Sequence, residues 1–211
     1  MISVSFLKSI YDEKKTVNIL NSISDVDMIH LDLLDGIYAG ENNIDVDKLL
    51  NIFSDTAKPI DVHLMVNDPE KYLDDILKLK PYSVIFHPDA CANPQGLISK
   101  IKESNIRCGI AFDTPVGIDE YSDLLSLVDT VLIMSVKAGY GGQEFLENTY
   151  EKLDYINKYK NKYKFNVEVD GGINSKIYKK LKPYGVDIYV VGSYICMNEN
   201  FTRPIEKLLE E

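Results

Sequence analysis

The chain has 211 residues, 45% of them hydrophobic, enough to bury a core of ordinary size, and its length suits one domain or a compact barrel better than two domains. With 33 Asp and Glu against 23 Lys and Arg the net charge is −10, which argues against a general nucleic-acid or anionic-membrane surface, because both depend on clustered cations. Cys91, Cys108 and Cys196 are odd in number and lack CxxC spacing, so neither a disulfide framework nor a zinc knuckle is indicated, and a reducing cytoplasm is the expected compartment.

Met1 leads straight into Ile-Ser-Val-Ser-Phe-Leu, with Lys8, Asp12, Glu13, Lys14 and Lys15 close behind, so no signal peptide is expected. No apolar run reaches the roughly 18 residues that a membrane helix needs. In chain order, β-branched runs bounded by Pro, Asp or Gly predict strands at Ile2–Leu7, Met28–Leu33, Pro59–Met65, Ser83–His87, Arg107–Phe112, Thr130–Val136, Phe165–Asp170 and Asp187–Gly192. Helical periodicity lies between them. Over Pro69–Leu79 the side chains of Tyr72, Ile76 and Leu79 share a face, and Asn174–Leu181 follows the Gly171-Gly172 turn. Lys158, Lys160, Lys162 and Lys164, interrupted by Tyr and Asn, read as a solvated helix end.

Strict alternation of strand and helix implies a parallel sheet covered by helices. Eight strands without a composition break favour closure into a single (β/α)8 TIM barrel, of α/β class, over residues 1–211. An open, doubly wound sheet is the alternative. It would carry GxGxxG after the first strand, where this chain has Leu7-Lys8-Ser9-Ile10.

Charged and imidazole side chains inside apolar strands are the informative positions, because an unpaired buried charge is costly and needs a metal or a partner. The second strand reads Ile29-His30-Leu31-Asp32-Leu33, and a period of two sends His30 and Asp32 to one side. The third strand places Asp61 and His63 together, and the seventh ends in Val167-Glu168-Val169-Asp170. Each set lies toward the C-terminal end of its strand, where barrels of this kind build their sites. Alone, any one of these residues reads as a hydrogen-bonded interior group. Together, His30, Asp32, His63 and Asp170 form a mixed nitrogen and oxygen set suited to one divalent metal ion, Zn²⁺, Fe²⁺, Mn²⁺ or Co²⁺. Asp61 reads as a residue that orients a neighbouring ligand, and Asp35 as the start of a turn with Gly36. His87, ending the fourth strand, divides between a role beside the site and simple packing.

Glycines gather after three late strands, at Gly139-Tyr140-Gly141-Gly142-Gln143, at Gly171-Gly172 and at Gly192-Ser193. A lone Gly-Gly is ordinarily just a turn. Three clusters on consecutive strands match the way barrels bind a phosphate through backbone N–H groups, and they point to a small phosphorylated substrate stretched across the mouth.

These motifs resemble the ribulose-phosphate 3-epimerase family across nearly the whole chain. The match is carried by His30-Leu31-Asp32-Leu33-Leu34-Asp35-Gly36, Asp61-Val62-His63-Leu64-Met65-Val66, Gly139 to Phe145, and Val169-Asp170-Gly171-Gly172-Ile173. The resemblance implies a ribulose-phosphate-binding barrel in which His30, Asp32, His63 and Asp170 hold the metal and Asp32 and Asp170 are also the acid and base. It implies that Ser5 and His63 contact substrate, that Gly139, Tyr140, Gly141, Gly142, Gly171, Gly172, Gly192 and Ser193 surround its phosphate end, that Met65 and Met134 line the site, and that the protein is a homo-oligomer. The implied reaction removes the C3 proton of a ketose phosphate, leaves a cis-enediolate that a metal stabilises, and returns a proton to the opposite face.

The sequence departs from the family in four places. Ile37-Tyr38-Ala39-Gly40-Glu41-Asn42 stands where the family usually has His-Phe-Val-Pro-Asn, Val4 where Pro is common, and Lys137-Ala138 where Asn-Pro is common; the segment Gly109 to Pro115 looks a residue short. Lys137 adds a cation at the mouth. The leading expectation is conversion of D-ribulose 5-phosphate to D-xylulose 5-phosphate. The alternatives are the same chemistry on another ketose phosphate, such as D-allulose 6-phosphate, and a non-catalytic sugar-phosphate-binding relative.

Overall fold

Each β-branched run forms a strand parallel to the next in sequence, and the last pairs with the first, so the sheet closes on itself. The structure is a computed structural model that describes residues 1–210. Its strands are β1 (Ile2–Ser5), β2 (Met28–Leu34), β3 (Ile60–Met65), β4 (Ser83–Phe86), β5 (Arg107–Phe112), β6 (Thr130–Met134), β7 (Asn166–Asp170) and β8 (Ile188–Val190). Parallel neighbours need a crossover after each strand. Helices α1 (Glu13–Ser22), α2 (Val46–Phe53), α3 (Leu73–Leu77), α4 (Pro94–Glu103), α5 (Thr149–Tyr163) and α6 (Ser175–Leu181) supply six of them, and α7 (Ser193–Cys196) and α8 (Thr202–Leu209) follow β8. Side chains of Asp12, Asp45, Asn93 and Asn174 accept from free backbone N–H groups at the starts of α1, α2, α4 and α6, which fixes where those helices begin.

Alternation along the strands separates two apolar layers. One face, with Val4, Ile29, Val62, Val84, Ile110, Val131 and Val169, packs against the helices through Leu20, Ile76, Ile101, Leu153 and Ile205. The other face fills the barrel with Leu34, Met65, Ile85, Ala111, Leu132, Met134 and Val190. This interior is packed core rather than pore.

Several elements differ from expectation. The hydrogen-bonded ladder stops before Phe6 and Leu7, before His87 and before Val136, and β8 ends ahead of Gly192, which caps α7. Pro69–Leu79 is a 3-10 turn (Pro69–Tyr72) followed by the short α3, since Pro69 lacks an N–H and Asp68 before it has φ 58°. The crossover between β5 and β6 is a 3-10 segment, Ile118–Ser126, kinked at Tyr121. Lys160 is half-buried, paired with Asp187 at 2.6 Å, while Lys158, Lys162 and Lys164 are exposed. Among the described residues, no helix is long and apolar enough to cross a membrane.

Candidate metal centre and active-site cleft

The register brings the interior polar residues together. Ser5 is level with His30, His30 with Asp61, Asp32 with His63, and Asp61 with Ser83, while Asp170 pairs with Met134 on one side and Val190 on the other. One donor atom each from His30, Asp32, His63 and Asp170 lies within 4.8 Å of all the others. The Asp32 carboxylate is central: Oδ1 is 3.4 Å from His30 Nε2 and 3.2 Å from His63 Nδ1, and Oδ2 accepts from Ser5 Oγ at 2.6 Å.

Three observations fit these residues to a divalent cation. His30 Nε2 is fully buried and has no hydrogen-bond partner, which is costly unless something else takes its lone pair. Ligands each about 2.1 Å from one ion lie roughly 3.0–3.4 Å apart, the range of the two contacts to Asp32. The donors also have fixed backs. His30 Nδ1 faces Asp61 Oδ2 at 2.9 Å, and Ser83 Oγ holds the other oxygen of Asp61. His63 Nε2 meets His87 Nε2 at 2.9 Å. With Nδ1 of His63 turned to the metal set, its Nε2 carries the hydrogen and donates to His87. Such outer contacts set tautomer and ring orientation.

Electrostatics point the same way. Burial alone raises the carboxyl of Asp32, but the positive charge of His30 beside it and the contact from His63 outweigh it and hold Asp32 below the usual carboxylate range. Burial likewise opposes a charge on His30, and Asp32 and Asp61 together overcome that, lifting its imidazole well above the usual range. Asp170 is raised to about 6, first by burial and then by the charge of Asp32. Beneath, Glu168 is wholly buried with neither carboxylate oxygen hydrogen-bonded, and burial and Asp61 push its carboxyl well up. Burial and His63 keep His87 neutral. These groups compete for protons in one dry pocket, and a divalent cation can replace the shared protons.

Asp32 and Asp170 form the floor of a cleft at the C-terminal end of the barrel. Of the residues expected at the substrate, Ser5, Gly139, Tyr140, Gly141, Gly142, Gly171, Gly172, Gly192 and Ser193 line this cleft, as do Met65 and Met134. His63 does not. It is 0% exposed behind Asp32, inside the cluster with His30, Asp32 and Asp170 and off the cleft wall. Asp35 is a turn residue, as expected. Its carboxylate accepts from the backbone N–H groups of Ile37, Tyr38 and Asn67, tying the loop after β2 to the loop after β3. Ser135, at the end of β6, donates to the carbonyls of Asp170 and Gly171 and so fixes the end of β7.

A model of the ribulose-phosphate 3-epimerase family matches residues 1–196. The chain belongs to this family. Among curated relatives it is 33% identical over 191 residues to the ribulose-phosphate 3-epimerase of Helicobacter pylori, covering 90% of this chain and 88% of the relative. It is 30% identical over 189 residues to the enzyme of that name from Escherichia coli, covering 88% and 84%. Solved structures show the same barrel. KGPDC from Streptococcus mutans superposes with a TM-score of 0.72 at 14% identity over 98% of this chain and 94% of that one. Phosphoribosyl anthranilate isomerase from Thermus thermophilus gives 0.69 at 10% identity over 98% and 95%.

Within this family member, the altered loop after β2 rests on the glycine loop after β6. A side chain on Gly139 would meet Gly40 N at 2.7 Å and Ala39 Cβ at 2.8 Å, and Gly139 has φ +100°. Tyr38 covers His87, their ring centroids 4.8 Å apart. Asn43 then closes the loop onto β2, accepting from Leu34 N and donating to the Asp32 carbonyl. Sequence reasoning missed the parts played by Glu168, Ser83 and Asn43. Glu168 shares the inward side of β7 with Asp170, a signal legible from the period of two; Ser83 and Asn43 left none.

Proposed function

We propose that the protein is a metal-dependent 3-epimerase that interconverts D-ribulose 5-phosphate and D-xylulose 5-phosphate. The observation that carries this reading is the placement of two carboxylates of unlike proton affinity, Asp32 and Asp170, on the floor of one cleft whose far wall is glycine backbone. Pairs of acids pushed apart by their surroundings are the mark of an acid and base assignment.

His30, Asp32, His63 and Asp170 would hold one zinc, iron, manganese or cobalt ion. When bound, that ion supplies Lewis-acid stabilisation for the negative charge that develops on the C2 and C3 oxygens. The rest falls to the chain's own residues. The phosphate lies against the backbone of Gly139 to Gly142, Gly171, Gly172, Gly192 and Ser193, which leaves the carbonyl end of the sugar at Ser5, Met65 and Met134. One Asp carboxylate takes the C3 proton, and the electron pair of the broken C–H bond passes into the enediolate. The other carboxyl gives its proton to C3 from the opposite face, inverting that centre, and the two exchange roles in the reverse direction. His87 keeps His63 in the tautomer that a ligand needs.

The loop from Ile37 to Asn42 favours a second reading, the same chemistry on another ketose phosphate such as D-allulose 6-phosphate, because it packs on the glycine loop that would hold the phosphate. A substrate panel with added Mn²⁺, Zn²⁺ or Fe²⁺ separates the readings. Turnover of the pentulose supports the first, turnover of the hexulose alone supports the second, and sugar-phosphate binding without turnover contradicts both.

A further inference from the structure

We infer that Lys8 is a phosphate-binding residue of the cleft, an anchor for the dianionic end of a sugar phosphate. The inference rests on the ketose-phosphate reading above. Lys8 follows β1 by three residues and lines the same cleft as Ser5 and the glycine loop after β6. Its stem is laid directly on that loop. A Cβ on Gly141 would stand 2.9 Å from Lys8 Cβ, and one on Gly142 would stand 3.0 Å from Lys8 Nζ. Two adjacent residues without side chains therefore make the seat on which the lysine rests, and its ammonium lies beside the backbone to which a phosphate would bind.

Charge makes the position meaningful. The molecule carries a net charge of −10, and Lys48, Lys71 and Lys100 are paired with carboxylates, whereas the two lysines that line the cleft, Lys8 and Lys137, have no ion pair among the described residues. Among the described residues Lys8 has no ion pair and its ammonium no hydrogen-bond acceptor, although it lines a cleft whose floor holds Asp32 and Asp170. A phosphate entering that cleft meets negative charge on the floor and gains from a compact cation with three donors at its own end. Neutral backbone donors fix its place, and of the two cations on the cleft, Lys8 and Lys137, Lys8 is the one seated on Gly141 and Gly142 to supply balancing charge there.

The test measures the dissociation constant of inorganic phosphate for the metal-loaded protein by titration calorimetry, in wild type, Lys8→Gln and Lys8→Arg. Lys158→Gln, on α5, serves as the control. Lys8→Gln is expected to bind phosphate about tenfold more weakly, Lys8→Arg to recover most of the loss, and the control to match wild type. Raised ionic strength should weaken binding to wild type more than to Lys8→Gln. KM for the ketose phosphate should rise with the phosphate constant while kcat changes less. Equal phosphate affinity in wild type and Lys8→Gln, or no phosphate binding by wild type, overturns the inference. If phosphate binding depends on Lys8 and no ketose phosphate is turned over, the proposed function fails and the role of Lys8 stands.

Discussion

Asp61 gives the most direct access to the proposed metal centre without touching one of its four proposed ligands. Its carboxylate is 2.9 Å from His30 Nδ1, is held from the other side by Ser83, and is 1% exposed. That contact keeps the hydrogen on Nδ1 and leaves His30 Nε2 with its lone pair toward Asp32. A hydrogen bond to a charged group contributes about 1.5–3 kcal/mol. Asp61→Asn keeps an acceptor and loses the charge, so about half of this is forfeited, corresponding to roughly three- to twelvefold weaker metal binding. Asp61→Leu removes the acceptor as well, and the loss approaches about a hundredfold, within the range known for such outer contacts. The same charge repels Glu168, whose carboxyl is pushed up by burial and then by Asp61, so Asp61→Asn should cost little fold stability. Chelator competition with Zn²⁺ or Mn²⁺ at fixed pH reads the affinity, and thermal unfolding of the metal-free variants reads the fold. Metal affinity unchanged within twofold in a folded Asp61→Leu would refute the reasoning.

Metal affinity should fall progressively as pH drops from the alkaline side to below about 6, because His30, lifted well above the usual imidazole range, and then Asp170, raised to about 6 by burial and Asp32, must give up their protons to bind; a flat affinity between pH 5 and 8 (about the range in which His titrates) would contradict this. Asp35→Ala should destabilise the fold by about 1–3 kcal/mol at neutral pH by leaving three backbone donors unpaired. Burial opposes ionisation of Asp35, but those N–H groups hold its carboxyl below the ordinary aspartate value of 3.8, so the contribution is present above that pH and lost as pH falls through the lower folded value; urea titrations across pH 2.5 to 7, roughly spanning that window, check the sign. Gly139→Ala should raise KM and loosen the loop after β2, since its φ of +100° and the 2.7 Å approach to Gly40 leave no room for a methyl group; proteolysis near residues 36–42 should quicken with it.

Much of this arrangement was legible because alternation is a strong constraint. His30 with Asp32, Asp61 with His63, and Glu168 with Asp170 each had to share a side, and eight parallel strands had to turn that side inward. Strand ends were less legible. Phe6, His87 and Val136 are buried and so look like strand residues, yet the hydrogen-bonded ladder stops before them. Depth was hidden as well. His63 has the sequence features of a cleft residue but lies behind Asp32, because closure of the barrel sets how far each side chain stands from the mouth. Lys8 carried no local signal: its partners Gly141 and Gly142 are more than a hundred positions away and meet it only across the folded mouth. The helical period over Pro69–Leu79 did place Ile76 and Leu79 in the core, but Pro69 tightened the first turn.

The central claim is that Asp32 and Asp170 invert C3 of a ketose phosphate by taking a proton from one face and giving one to the other. Turnover of D-ribulose 5-phosphate by the metal-loaded protein in D₂O, followed by NMR of the product, tests it most directly. The account predicts D-xylulose 5-phosphate carrying deuterium at C3, because the carboxyl that returns the proton exchanges with solvent before it does so. Product that keeps the original hydrogen at C3 would contradict it.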